Sequence, residues 1–595
     1  MKKLLFPLFV ILFFTQLSYG QDKRLVGIDT AMQRILKEFN TVGASVAVVE
    51  KNKVVLAQGF GFKDLEGKKA VTPQTLFQIG SCTKAFTTTL LGTLMDEKLV
   101  DFDKPVSEYL PELIFKDDNL TKNITPRDMM THRTGLPRHD LAWYLRGTAT
   151  NRAEVLKAIR YFEASAGLRE TWQYNNFMYM AQGALAEKLT GKTWEKLLQE
   201  RILTPLSMTG TVYSTAAMEQ TNDHSLGYGY NEDKKENKKL DYYHFSGMEP
   251  AGSIASNAKD MSEWLKTWIN VGKYNGKEIF SANFYNQAIK PQMAMASVPD
   301  KRELNMFIHG YGLGWMIKTY KGHHQIEHGG NIDGFSTTTC FFPNDSIGIF
   351  VSVNQNGSMV PGVIRNWLTD RLLNLEKTDW VTQVKPKKEE KKEDKKEDKS
   401  ADLKRKQGTQ PSHAQGDYIG QYKNGGYGTI TIFKKDTTLF ATFGKDTARL
   451  AHFHYDVFQL ISTKLEDVDE GGLKIRFQMD IDGDIVSMDS QLEPALKNDI
   501  VFAKDQPEIK INPADLKKYE AEYIISGATV KVFVKNDILR MSVPGQPEYE
   551  LIPSKPDEFK LKGLEGYSVR FDIKDGSSTA AYSIQPNGTF KMNRK

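Results

Sequence analysis

The sequence predicts an α+β domain, an antiparallel sheet with helices on its faces, followed by two small all-β barrel-like domains. Three observations carry that expectation. Helical and strand periodicities mix from Gln21 to about Trp380, that stretch begins and ends in β-rich runs, and the last third of the chain repeats one strand pattern twice. A length of 595 residues allows about four domains of ~150 residues, or three if one is large.

The chain opens with Lys2 and Lys3, an apolar stretch from Leu4 to Phe14, and the small-residue site Ser18-Tyr19-Gly20 before Gln21. This pattern reads as a cleavable secretory signal over 1–20, so the mature protein is expected to be secreted or periplasmic. The stretch is shorter than the ~20 residues a spanning helix needs, and Pro7 interrupts it, so no transmembrane span is expected in the mature chain. Lysine and arginine total 79 against 74 aspartate and glutamate, a balance too even to call for nucleic acid. Only Cys82 and Cys340 are present, which excludes a disulfide scaffold and a four-cysteine zinc site and leaves room for one bridge at most.

Within the first domain, 21–380, Ile28, Met32, Ile35, Leu36 and Phe39 recur at helical spacing. Two β-rich runs, Ala44 to Val49 and Val54 to Gly61, flank Glu50-Lys51-Asn52-Lys53 and read as a hairpin. Helical stretches follow around Ala85 to Leu94 and Met178 to Leu189, and a strand returns at Ile347 to Val353. From 381 to 415 the composition shifts to paired lysines and acids, a charged linker in which Leu403 is the only large apolar residue between Lys385 and Gln415. Protease is expected to cut there first.

Beyond the linker the chain repeats itself, which predicts one β domain over 416–505 and another over 506–595. Tyr418 and Tyr422 recur as Tyr519 and Tyr523, Thr429–Phe433 as Thr529–Phe533, Phe458-Gln459-Leu460 as Phe559-Lys560-Leu561, and Arg476-Phe477 as Arg570-Phe571. Short alternating strands at this spacing suit a small antiparallel barrel, either with a ligand inside or with a filled core that packs against the first domain.

Ser81-Cys82-Thr83-Lys84 leads into a stretch in which Phe86, Leu90 and Leu94 fall at i, i+4 and i+8, so the motif opens a helix. Residues three apart share a helix face, which sets the Lys84 amine beside the Ser81 hydroxyl. Burial beside a phenol and an amide lowers a lysine pKa enough for it to accept a proton, and a helix start supplies backbone donors for an oxyanion. Tyr174-Asn175-Asn176 offers a phenol to relay protons and an amide to orient Lys84 and a substrate carbonyl. His328-Gly329-Gly330 lies between β-like runs, where glycines admit a close backbone approach.

In that order, Ser81-x-x-Lys84, Tyr174-x-Asn176 and His328-x-Gly330 resemble the class C β-lactamase and penicillin-binding-protein serine hydrolases. Further similarity runs through Asp101 to Val106, Ile124 to Leu136 and Gly312 to Trp315. The resemblance implies acylation of Ser81, with Lys84 and Tyr174 as the base system and no cofactor. It implies an oxyanion hole from the backbone of Ser81 and of a residue close after Gly330, for which Asn331 is the candidate. Asn176, His328, Gly330 and Asn331 are then the substrate-binding positions, and the substrate is a small molecule or peptide.

Class C β-lactamases generally carry lysine where His328 stands, whereas His-x-Gly resembles certain D-alanyl-D-alanine carboxypeptidases and D-aminopeptidases. Some D-aminopeptidases also carry two C-terminal β-barrels, which tilts the expectation toward D-amino-acid-containing or cell-wall-derived peptides. Esterase or β-lactamase activity, or a non-catalytic receptor for peptidoglycan fragments, are the alternatives. A zinc reading of His324-Gln325-Ile326-Glu327-His328 needs a helix, but the flanking glycines favour a strand, on which residues four apart stand ~13 Å apart. Cys82 points about 100° away from Ser81 on a helix and is expected to pack in the core. Isolated His132 and His139 read as structural.

Overall fold

The computed structural model describes residues 22–146, 151–232, 234–295, 306–385, 405–444, 446–461, 473–505, 511–564 and 566–595. The leader expected over 1–20 and most of the charged linker lie outside them. Contacts divide the chain into two compact units, one ending at Ala503 and the other running from Lys504 to Lys595.

The first unit is built on a nine-stranded antiparallel sheet. Its strands are β1 (Gly43–Glu50), β2 (Lys53–Asp64), β3 (Lys69–Ala70), β4 (Met293–Ala294), β5 (Met306–Tyr311), β6 (Met316–Tyr320), β7 (His323–Ile332), β8 (Phe335–Phe342) and β9 (Ile347–Val353). They lie in the order β4-β5-β6-β7-β8-β9-β1-β2-β3. The first strand therefore pairs with the last, Val46 opposite Val351. The expected hairpin forms with Glu50 opposite Lys53, and Lys51 takes the positive φ of 53° that the two-residue turn requires.

Helices α1 (Ile28–Glu38), α2 (Thr83–Asp96), α3 (Asp140–Arg146), α4 (Asn176–Thr190), α5 (Ala258–Ile269) and α6 (Val360–Leu372) position the rest. The period-2 alternation of the central strands divides their side chains between two cores. Val46, Val48, Ile349 and Val351 meet Met32 and Ile35 of α1 and Ile364 and Leu368 of α6. Ala47, Val49 and Phe350 join the core of α2, α4 and α5, where Phe86 stacks on Trp264 at 3.9 Å. α2 is buried from Thr83 to Leu94, which fixes the Ser81 end of the helix inside the protein. Among the described residues no helix is long and apolar enough to cross a membrane.

Both C-terminal domains are closed eight-stranded barrels, spanning Gly420–Lys504 and Ala521–Arg594. Aromatic rings occupy both interiors: Tyr418 meets Phe458 and Phe477 at 5.2 and 4.9 Å, and Tyr519 meets Phe559 and Phe571 at 4.8 and 4.9 Å. The repeat extends to hydrogen bonds that the sequence comparison did not include. Tyr418 donates to Asp456 and Tyr519 donates to Asp557, while Tyr422 and Tyr523 donate to the carbonyls of Tyr418 and Tyr519.

The first barrel belongs to the same compact unit as the sheet, and its buried residues are continuous with the core around α2 and α4. Cleavage between 386 and 404 should therefore leave the sheet domain and the first barrel associated. Size-exclusion chromatography of the nicked protein should show the two pieces co-eluting, and separate elution would contradict the docking.

Candidate active site

Ser81 lies in a 3-10 turn, Gly80–Cys82, that feeds directly into α2, so Ser81 and Cys82 precede the α-helix while Thr83 and Lys84 open it. Lys84 is fully buried, and its Nζ is 3.1 Å from Ser81 Oγ, 2.6 Å from Asn176 Oδ1 and 2.8 Å from the carbonyl of Ala251. Asn176 Nδ2 donates to Asp140 Oδ1 at 2.9 Å, so its Oδ1 is the oxygen that faces the lysine. Gly183 of α4 makes the third contact possible. A Cβ there would lie 2.3 Å from Pro250 Cγ, and without it the turn bearing Ala251 closes onto α4.

Burial, then the nearby Arg138 guanidinium, holds the Lys84 pKa well below that of an ordinary lysine. In its neutral form the amine has two N–H groups and one lone pair, and its partners assign them. Asn176 Oδ1 and the Ala251 carbonyl can only accept, so they take both N–H groups and leave the lone pair for the Ser81 hydroxyl. Tyr174 hydrogen-bonds Ser81 as well, and burial pushes its phenol upward. At neutral pH it is therefore a phenol rather than a phenolate, able to donate a proton. The Arg138 guanidinium lies 5.0 Å above its ring.

Strand β7 supplies the other wall. Residues 323–327 pair with β6 and residues 326–332 with β8, so His328 to Ile332 have no partner on the β6 side. That open edge meets the Ser81 turn. A Cβ on Gly330 would stand 1.9 Å from the Ile79 carbonyl and 3.1 Å from the Ser81 nitrogen. Gly330 is thus required by the packing of the protein on itself, a stricter demand than the approach of a substrate. Gly80, at φ +51°, also packs closely on Asn331, whose nitrogen would be 2.8 Å from an added Cβ. The Asn331 side chain accepts from Ser336 and from the Gly357 N–H, so its backbone is the part that faces the serine turn.

His328 is 1% exposed, and both ring nitrogens are engaged. Gly329 O can only accept, which places the proton on Nδ1 at 2.6 Å, and Nε2 accepts from the Tyr311 hydroxyl at 2.8 Å. Burial and then Lys84 push the imidazole down to about 3, so it is uncharged. The cleft between these walls has a volume of about 1040 Å³ and is lined by Ser81, Tyr174, Asn176, His328 and Asn331 among others.

Residues 28–374 match the Beta-lactamase family. The chain belongs to that family. As a β-lactamase-family serine hydrolase it resembles "Unguisins hydrolase ungD'" of Aspergillus campestris, 30% identical over 55% of this chain and 61% of that relative's length. It also resembles "Protein flp" of Staphylococcus aureus, 24% identical over 60% of this chain and 68% of the relative. An octameric penicillin-binding protein homologue from Pyrococcus abyssi aligns with a TM-score of 0.53 over 80% of this chain and 99% of its own, at 18% identity, a likeness of fold. Residues 404–504, the first barrel, match a domain family of unknown function, DUF3471.

The structure of this β-lactamase-family chain brings together all seven residues singled out from the sequence. It also adds Ala251, Asp140, Arg138 and Tyr311, which no motif marks. Glu327 belongs to the scaffold: burial would raise its carboxyl, but Arg365 and Lys318 hold it down to about 2, and both pair with it. Cys82 and Cys340 are both free and buried, and the Cys82 thiol donates to the His328 carbonyl at 3.2 Å. That contact ties the strand edge to the serine turn.

Proposed function

We propose that this chain is an exported serine hydrolase that works through an acyl-enzyme on Ser81, acting on amides or peptides of D-amino-acid-containing or cell-wall-derived type. The observation that carries the chemistry is the buried Lys84 amine, its pKa held well below the ordinary lysine range and its Nζ set 3.1 Å from Ser81 Oγ between two acceptor-only partners. As the Ser81 oxygen attacks a carbonyl, its proton passes to Lys84. The oxyanion forms beside the N–H groups of Ser81 and of the strand near Asn331. The protonated Tyr174 phenol gives the leaving nitrogen a proton and is restored through Lys84. Water then hydrolyses the ester. The preference for amides rests on the uncharged His328 at the cleft wall, where a cationic lysine would favour carboxylate-bearing lactams. Hydrolysis in general is supported by the name of the Aspergillus relative.

A fluorophosphonate should label the full-length protein with one adduct, mapped by mass spectrometry to Ser81. D-amino-acid anilides should be turned over with a higher kcat/KM than a chromogenic cephalosporin. Absence of an adduct at Ser81 would turn the reading toward a receptor for peptidoglycan fragments, and efficient cephalosporin hydrolysis would overturn the substrate preference.

A further inference from the structure

The hydrogen-bond chain that orients Lys84 does not end inside the catalytic domain. Asn176 is held by Asp140 Oδ1, and Asp140 Oδ2 accepts from Arg138 Nε at 2.6 Å. Both residues flank His139, a fully buried residue in the left-handed conformation, φ 51°. A non-glycine residue in that conformation persists where its surroundings hold it. Three contacts do so. His139 Nε2 is 2.9 Å from the Glu163 carbonyl, which can only accept, so the proton sits on Nε2 and Nδ1 accepts from the Tyr427 hydroxyl at 2.7 Å. The His139 backbone N–H donates to Glu493 Oε2 at 2.7 Å. Tyr427 and Glu493 both come from the first barrel, and they are 1% and 7% exposed.

The barrel approaches this turn closely. A Cβ on Gly425 would lie 2.5 Å from the Tyr161 ring, and one on Gly444 2.3 Å from the Tyr144 carbonyl. Arg146, at the end of α3, donates through Nε to the Gly426 carbonyl at 2.8 Å. The Phe162 ring stacks on His139 at 4.5 Å and meets Tyr427 edge-on.

We infer that the first barrel is a positioning element of the active site, in which Tyr427 and Glu493 clamp His139 and thereby fix Asp140, Asn176 and the Lys84 amine. The inference rests on the serine hydrolase reading for its catalytic consequence, and on geometry alone for its effect on Lys84. Neither Tyr427 nor Glu493 hydrogen-bonds Ser81 or Lys84; Glu493 also lines the cleft, and both reach Lys84 through the turn at 138–140. The titratable and charged groups around Lys84 are Arg138 and Asp140 on that turn, Cys82 on the serine turn, the Tyr174 and Tyr179 phenols, whose ring centres lie 4.8 and 5.2 Å from Nζ, and the uncharged His132 and His328.

The test uses the full chain with Tyr427→Phe, Glu493→Ala and Glu493→Gln, beside Ile481→Ala, a wholly exposed residue on a hairpin of the same barrel. The acylation rate constant with a p-nitrophenyl ester should fall about tenfold in Tyr427→Phe and Glu493→Ala, with KM little changed. Glu493→Gln, which keeps an acceptor for the His139 N–H, should recover most of the rate lost in Glu493→Ala, and Ile481→Ala should match the wild type. In parallel, the Lys84 ε-carbon titration by 13C NMR should shift toward the ordinary lysine range in Tyr427→Phe alone and in Glu493→Ala alone. A wild-type acylation rate together with an unmoved Lys84 titration in both variants overturns the inference. Wild-type protein that forms no acyl adduct overturns the hydrolase reading instead, and the titration still decides the coupling. A matching loss in Ile481→Ala would overturn the inference as a general effect of perturbing the barrel.

Discussion

Replacing Lys84 by methionine lowers the acylation rate by about 10²- to 10⁴-fold, the range a positioned general base supplies. Ser81→Ala removes the atom that is acylated, so substrate turnover falls further, by about 10⁴- to 10⁶-fold. Methionine fills the space of the lysine stem without an amine, so the Ser81 hydroxyl loses the lone pair that takes its proton. The two losses should not add. Once the nucleophile is gone, the base has no proton to accept, so Ser81→Ala with Lys84→Met should be no slower than Ser81→Ala alone. The pH profile of the wild type gives an independent check. The active form is the neutral amine, so the rate rises as pH climbs through the Lys84 pKa and is flat above it. Because burial and Arg138 depress that pKa, the acid limb should lie far below the range of a free lysine. A rate that rises only in the ordinary lysine range, or double-variant losses that multiply, would mean that Lys84 is not the base.

The parts of the site that were legible in the sequence are those encoded locally. Ser81 and Lys84 sit three apart across the 3-10 turn that opens α2, and this local spacing brings their heads together. The two-residue turn at Lys51 and the β-rich runs of β1 and β9 are likewise local, which is why the hairpin and the returning strand could be read. Tyr174-x-Asn176 and His328-x-Gly330 carried meaning through resemblance, since nothing in their own spacing brings them to Ser81. Illegible were the contacts that depend on distant backbone. Ala251 contributes a carbonyl, an atom every residue has. Tyr311 reaches His328 from β5, across the intervening strand β6, and Glu493 meets His139 across 354 residues of chain. His139 reads as an isolated loop histidine until the barrel is in place.

One reading changed in kind. The glycines at 329–330 suggest room for a substrate, but Gly330 is the point where strand β7 and the serine turn touch, and a side chain there would push them apart. Together with the Cys82 thiol on the His328 carbonyl, this means the distance between nucleophile and strand edge is set by the protein before any substrate enters.

Asp128→Ala should lower the free energy of unfolding by about 3–5 kcal/mol at neutral pH, the cost of removing one partner from a buried ion pair. Asp128 is 0% exposed and accepts from Arg133 Nε at 2.6 Å, from Arg169 Nε and Nη2 at 2.9 and 2.8 Å, and from the Thr125 N–H and hydroxyl in a capping box. Alanine leaves the Arg133 guanidinium, 17% exposed, without this partner and opens the cap at once. Arg169 is half exposed and can rehydrate, so the loss should fall chiefly on the Arg133 side. The pH dependence follows from the direction of the shift. Burial alone would raise the carboxyl, but Arg169 and Arg133 hold it below its ordinary value. Its stabilising contribution is therefore complete above the unfolded carboxyl's pKa of about 3.9 and disappears as pH falls through the depressed folded value. Urea unfolding of wild type and Asp128→Ala should show the full gap at pH 7 and a narrowing gap only in strong acid. The same arginines fix the segment that leads to Tyr174, because the Arg169 N–H donates to the Arg133 carbonyl at 2.7 Å and the Gln173 N–H to the His132 carbonyl at 2.8 Å. A gap below about 1 kcal/mol at pH 7 would place Asp128 among the ion pairs whose desolvation cost cancels their attraction. The Tyr174 segment would then owe its position to the backbone pairs alone.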